Sequence, residues 1–239
     1  MASARVLGSA GQRSRRSAVY SQPMNLIAID TALEACSVGV VPGDGAPVLL
    51  SETIGRGHAE RLMPMIAVAM AEAGLAFADL DRIVVTVGPG SFTGLRVGIA
   101  AARGIALAID RPAIGIGTLD VLAAAARLLA GPVPVLALLD ARRGELYGQA
   151  FAADGRALSP PEAAAADHFV GLLRPGMVLA GSGAALLPAE APVAHRSGTP
   201  DIADLVALGA DAPVGGSPRP LYLRPPDAKP QAHAAVARR

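Results

Sequence analysis

The chain has 239 residues, 52% of them hydrophobic, a formal net charge of +1 and one cysteine. Its length suits one large domain or two small ones with ample core, and its near-neutral charge argues against broad electrostatic binding of nucleic acid by this chain alone. Cys36 by itself excludes a disulfide framework or a cysteine-based zinc site and suits a reducing compartment, and no segment approaches spanning length free of charge, which argues against a membrane protein.

Residues 1–23 stand apart, with Arg5, Arg13, Arg15, Arg16, several serines and no acid. That composition is like a mitochondrial transit peptide. The rival reading is an upstream start with Met24 as the true first residue, and it is favoured because Met24 immediately precedes the first strand. Either way the segment is expected to be disordered.

Leu26 to Asp30 and Cys36 to Val41 are apolar runs that predict a hairpin across Thr31 to Ala35. Val48 to Thr53 is a third strand, broken by Gly55-Arg56-Gly57. A helix is expected from about His58 to Ala73, with Gly74 as its stop. Asp79 to Arg82 reads as a turn or short helix, and Ile83 to Val87 as a buried strand. Then comes the most distinctive stretch, Gly88-Pro89-Gly90-Ser91-Phe92-Thr93-Gly94-Leu95-Arg96-Val97-Gly98, leading into a helix over Leu95 to Ile109.

A Gly-rich strand-to-helix turn lets backbone N–H groups converge on an anion or on another piece of backbone. Three common readings fail here. The glycines are wrongly spaced for a Walker loop and no lysine starts the helix; Thr93 stands where a dinucleotide fingerprint needs glycine; Pro89 and Thr93 replace the flanking glycines of a nucleophile elbow around Ser91. Two readings remain open. One is a helix start capped by Ser91 or Thr93 with glycines for tight backbone; the other is a ligand or phosphate turn using Gly88, Gly90, Ser91, Thr93 and Arg96.

After a short strand at Ala113 to Ile116 and a helix from Leu119 to Leu129, the pattern restarts. Val135 to Asp140 is a strand ending in an acid, Gly144 lies in the turn, and Glu145 to Phe151 returns. Asp154-Gly155 signals a hairpin. A helix is expected over Ala163 to Leu173, a strand over Met177 to Ala180 before Gly181-Ser182-Gly183, and a helix over Ile202 to Leu208. From Ala212 the chain is Pro-rich and expected to be extended or disordered. The two strand–acid–turn–strand openings form a coarse internal repeat, which suggests two mixed α/β subdomains flanking a cleft.

Ile29-Asp30-Thr31-Ala32, Cys36-Ser37-Val38, the run from His58 to Pro64, the Gly-Pro-Gly-Ser-Phe-Thr-Gly block, Asp140 to Tyr147 and Tyr222-Leu223-Arg224 occur in collinear order. Together they resemble the bacterial TsaB (YeaZ) family, over about Met24 to Lys229. The resemblance implies an actin/Hsp70/sugar-kinase-like (ASKHA) fold of two duplicated subdomains, divided as 24–118 and 119–225 with a flexible tail over 226–239. It also implies a role in making N6-threonylcarbamoyladenosine in tRNAs that read ANN codons. In that family the paralogue TsaD transfers the threonylcarbamoyl group from an adenylate made by TsaC. TsaB pairs with TsaD, and the ATPase TsaE joins them.

Catalytic chemistry is expected to be missing. TsaD-like relatives carry a metal-binding His-x-x-x-His at the first helix, but Leu62 follows His58 at the second position, and a lone imidazole cannot clamp a metal on one helix face. Asp30 and Asp140 end the first strand of each half, where acids of this fold help to hold magnesium. The first turn offers Leu33 and Glu34 and no glycine, whereas the second offers Arg142, Arg143 and Gly144. Half a clamp implies weak or shared binding of ATP or ADP, at most at a complex interface; a plain strand-end role for both aspartates competes with it. Arg96 could meet a phosphate or a partner carboxylate, or be a surface arginine.

The helices carry an interaction signal. Leu62, Ile66, Ala69, Met70 and Ala73 form one stripe on the first, widened by Met63 and Ala67, while Gly94, Gly98, Ala102 and Ala106 follow a four-residue ridge on the second. Both could simply pack on their own sheet. The expectation is that Leu62, Met63, Ile66, Ala67, Met70, Gly94, Gly98 and Ala102 contribute to a helical interface with TsaD, or with a second copy. The sequence therefore reads as a non-catalytic, cytoplasmic subunit that reaches TsaE and tRNA through the complex, with no tightly bound cofactor. The rivals are an ATP-dependent transferase or kinase of the same fold, a metallopeptidase, and a self-associating binding module.

Overall fold

The computed structural model describes residues 24–188 and 190–224; the expected extension 1–23 and tail 226–239 lie outside them. Among the described residues, ten strands fall into two five-stranded sheets. The first holds β1 (Leu26–Asp30), β2 (Ala35–Val41), β3 (Val48–Thr53), β4 (Arg82–Gly88) and β5 (Ala113–Gly117), in the order β3-β2-β1-β4-β5. The second holds β6 (Val135–Asp140), β7 (Glu145–Phe151), β8 (Glu162–Ala165), β9 (Val178–Ala180) and β10 (Val193–His195), in the order β10-β9-β6-β7-β8. Each opens with an antiparallel meander, and each then adds two strands parallel to its first. Read strand for strand, β6 to β10 repeat β1 to β5. This is the duplicated ASKHA architecture.

Alternation in β1 assigns its two faces. Ile27 and Ile29 point to α1 (His58–Ala73) and α2 (Phe92–Ile109), where Leu62, Ile66, Leu95 and Ile99 complete one core. Leu26 and Ala28 point the other way, to α5 (Ile202–Asp211) through Ile202, Leu205 and Val206. The central helix α3 (Thr118–Ala130) serves both sheets: Val121 joins that second layer, while Leu119, Leu122 and Ala126 pack on Val135, Ala137 and Leu139 of β6. A linear division at residue 118 is thus crossed by α5, which follows the second sheet in sequence but packs on the first.

Helix ends match their sequence signals. Gly57 and Gly74 flank α1 in left-handed conformations, and Ser91 caps α2 by accepting from the Gly94 N–H. Pro64, which cannot donate to the carbonyl four residues back, lies on the exposed side of α1. By length and mean hydropathy alone α2 could cross a membrane, but it carries Arg96 and Arg103 and packs its other face on the first sheet.

The expected helix over Ala163 to Leu173 is corrected. Glu162–Ala165 forms β8 against β7, and only the short α4 (Ala166–Val170) is helical. Alanine's helix propensity loses there to edge pairing and to Phe169, fully buried in the core on that face of the second sheet. Gly148 on β7 makes room for it, since a Cβ would overlap the Phe169 ring. Strand β10 was not expected, and Gly181-Ser182-Gly183 leads into a 3-10 turn over Ser182–Leu186.

Candidate functional site

The Gly-rich turn and the β1–β2 turn are pressed together. The Ser91 N–H donates to the Ala32 carbonyl at 2.6 Å, and the Thr31 hydroxyl donates to the Gly94 carbonyl at 2.8 Å. A Cβ at Gly90 would overlap the Ala32 carbonyl, one at Gly94 the Thr31 carbonyl, and one at Gly98 the Thr31 hydroxyl. These glycines therefore admit a neighbouring backbone. The phosphate-turn reading of Gly88, Gly90, Ser91 and Thr93 is corrected accordingly: the Ser91 N–H is spent inside the chain, and a Cβ on Gly88 would strike the Leu221 carbonyl and the Leu95 side chain. Thr93 lies exposed on the first turn of α2.

Asp30 sits beneath this contact, fully buried. Its Oδ1 accepts from the Thr86 hydroxyl at 2.6 Å and from the Ala32 N–H at 3.0 Å, while Oδ2 is buried with no hydrogen-bond partner. Burial raises its pKa, against the opposing pull of those two donors and of His58. A carboxyl so enclosed has no open face for a magnesium ion, and the Ala32 N–H is already committed. The first turn does not fit a nucleotide's phosphates.

Asp140, in the matching position of the second sheet, is exposed. Its Oδ1 accepts from the Arg142 N–H at 2.7 Å, and its own N–H donates to the Ser182 hydroxyl. Arg142, Arg143 and Gly144 all have positive φ, at 62°, 57° and 79°. Two non-glycine residues in the left-handed region cost about 1–3 kcal/mol each, so this turn must be held from outside. The Arg142 side chain is 83% exposed and stands 3.9 Å from Glu34 of the first turn. The structure thus brings the two turns near each other, with an exposed basic side chain on the second.

The last described residues bind the Gly-rich turn and the β6–β7 turn. The Leu221 N–H donates to the Val87 carbonyl at 2.7 Å. Tyr222 accepts from Arg96 Nε at 2.9 Å and packs on Phe92, over whose ring the Arg96 guanidinium lies at 3.7 Å. Arg224 donates to the Ala141 carbonyl at 2.6 Å, to the Arg142 carbonyl and to the Glu145 carboxylate. Arg96 therefore belongs to an exposed cation–aromatic cluster. Tyr222-Leu223-Arg224 carried the family resemblance, but nothing in its composition revealed what it touches.

The helical stripes divide by burial. Leu62, Ile66, Met70, Gly94, Gly98 and Ala102 are buried in this chain's own core, so their assignment to an intermolecular surface is corrected. Full burial of a Leu, Ile or Met side chain is worth about 1.5–3 kcal/mol, which holds them inward. Met63, 50% exposed, and Ala67 remain outside with Val68; on the neighbouring α2, Ala100 and Leu107 are exposed too. His58 is nearly buried and its Nε2 lies 3.2 Å from the Ala35 carbonyl, while Leu62 at the second position faces the core. On the opposite side, a groove of about 990 Å3 runs between α3, α5 and the β7–β8 connection, with Asp120, Arg127 and Asp154 among its lining residues.

Comparison with known proteins places these features in context. Residues 38–203 match the family described as TsaD: tRNA N6-adenosine threonylcarbamoyltransferase. An uncharacterized protein of Mycobacterium tuberculosis is 39% identical over 222 residues, covering 88% of this chain and 97% of that protein. The tRNA threonylcarbamoyladenosine biosynthesis protein TsaB of Escherichia coli is 42% identical over 124 residues, covering 52% of this chain and 53% of that protein. The solved structure of YeaZ from Pseudomonas aeruginosa superposes with a TM-score of 0.70 at 30% identity, covering 84% of this chain and all of that one.

Proposed function

The chain belongs to the TsaB (YeaZ) branch of the tRNA N6-adenosine threonylcarbamoyltransferase family, and from that premise we propose that it is a non-catalytic accessory subunit that binds and activates TsaD. The observation that carries the proposal is the enclosure of Asp30. In the first half, the place where a catalytic relative needs open metal and phosphate ligands is filled by the chain's own Ala32, Thr86 and Gly-rich turn. What the first half presents instead is the exposed face of α1 and α2, with Met63, Ala67, Val68 and Leu107. That face is apolar and made of preformed helices, the kind of surface that packs into a helical bundle with a partner.

On this reading TsaE and tRNA are reached through the TsaD complex, and the work is cytoplasmic. Any ATP or ADP would be held jointly, with Arg142 as this chain's contribution. The rival transferase or kinase of the same fold requires an open first turn. A self-associating module would use the same helix face.

The test is threonylcarbamoyladenosine formation on substrate tRNA by TsaC, TsaD and TsaE from the same source, with and without this chain. Product that depends on the chain supports the proposal; equal product without it removes the assigned role. Met63→Asp and Ala67→Asp, both at exposed positions, should leave stability within about 0.5 kcal/mol. They should weaken TsaD binding by roughly tenfold or more, because a charge must be desolvated in an apolar contact. Unchanged affinity would place the partner elsewhere.

A further inference from the structure

The segment from Leu221 to Arg224 has anchors on both duplicated units. At its first end, Leu221 donates to Val87, at the end of β4, and Tyr222 holds Arg96 on the Phe92 ring at the start of α2. At its second end, Arg224 reaches three acceptors of the β6–β7 turn: the Ala141 carbonyl, the Arg142 carbonyl and the Glu145 carboxylate. Its guanidinium also lies 5.6 Å from the centre of the Tyr147 ring. The two side-chain anchors, Tyr222 and Arg224, are separated by at most about 7 Å of chain. The turn that Arg224 grips is the strained one, with Arg142 and Arg143 in the left-handed region. A planar guanidinium that satisfies two carbonyls and a carboxylate is suited to fixing such a turn.

We propose that Leu221–Arg224 is a clasp between the units, through which the start of α2 and the β6–β7 turn are conformationally coupled. This goes beyond the docking reading and does not depend on it. The start of α2 feeds the exposed helix face, and the β6–β7 turn carries the exposed Arg142. A ligand or partner that engages either end would therefore be felt at the other, and by linkage the effect must be reciprocal.

Amide hydrogen exchange on the full chain tests the coupling. At the turn, the reporters are the N–H groups of Ala141 and Glu145, which bond to Glu145 and Arg142 carbonyls. At the helix start, they are the N–H groups of Ser91 and Leu95, which bond to Ala32 and Ser91 carbonyls. Arg224→Ala should speed exchange about tenfold at Glu145 and also severalfold at Leu95, which Arg224 does not touch. Tyr222→Phe, which keeps the ring and removes the acceptor for Arg96, should speed Leu95 and, across the clasp, Glu145. Glu34→Ala removes only the long 3.9 Å pairing with Arg142 and should move neither end. Two results would overturn the proposal: acceleration confined to the mutated end in both variants, or equal acceleration at the core amides of Val84 and Leu136, which would make the segment a general stabiliser. If Arg224→Ala does not fold, Arg224→Lys retains the charge without the fork and the same far-end reporters decide.

Discussion

Replacing Gly94 by alanine tests the close packing of the two turns. The helix-forming gain of Gly to Ala is about 0.5–1 kcal/mol at a site with room for the methyl. At Gly94 there is no room: the new Cβ would lie inside contact distance of the Thr31 carbonyl, a backbone atom that cannot swing aside. Such overpacking costs about 1–3 kcal/mol, so the net destabilisation should lie between about 0 and 2.5 kcal/mol after the helix gain is subtracted. Gly104 provides the opposite sign within the same helix, because a Cβ there meets nothing within 4 Å. Gly104→Ala should stabilise by about 0.5–1 kcal/mol. Thermal unfolding followed by circular dichroism measures both; for a chain of this size the midpoints should separate by roughly 2–4 °C per kcal/mol. If Gly94→Ala proves as stable as Gly104→Ala, the glycine is not there for the Thr31 contact.

Two further substitutions probe the buried groups beneath the turn. Asp30→Asn should flatten the pH dependence of stability: burial raises the Asp30 pKa, so the folded chain keeps a proton that the unfolded chain releases at about pH 4. Its contribution is full below that value and is lost as pH rises through the folded pKa. The amide oxygen of the introduced asparagine would still accept from Thr86 and Ala32, so urea midpoints measured from about pH 4 to 9 should fall more steeply for the parent chain than for the variant. Parallel curves would refute the burial argument. Cys36 is fully buried, and burial, with smaller contributions from Asp30 and Glu52, raises its thiol pKa to about 11. Alkylation of the native chain at about pH 8 should be at least roughly a hundredfold slower than in denaturant; rapid native labelling would contradict that burial.

Which parts of this structure were legible depended on how local their causes were. The strands of both openings follow from apolar runs bounded by acids and glycines, and α1, α2 and α3 from their spacing and stops, because those signals lie within a dozen residues. The short helix at Ala166–Val170 shows the limit. Four alanines and a glutamate favour helix locally, but pairing of Glu162–Ala165 with β7 is a tertiary event that no window contains. The same holds for α5, whose amphipathic pattern predicts a helix and says nothing of its return to the first sheet.

The site was half legible for a related reason. Glycine spacing at 88–98 announced a close approach, but an anion and a backbone carbonyl make the same demand on a glycine. Only the position of the β1–β2 turn decides between them, and it places Ala32 and Thr31 in that space. Likewise Asp30 and Asp140 are indistinguishable as strand-end acids, although they lead opposite lives. One is buried and bonded to Thr86 and the Ala32 N–H; the other stands exposed beside Arg142. Duplication built two equivalent turns, and packing against α2 closed the first while the second stayed open. Of the two turns, the second is therefore the one that presents an exposed arginine, and Arg224 holds it in place.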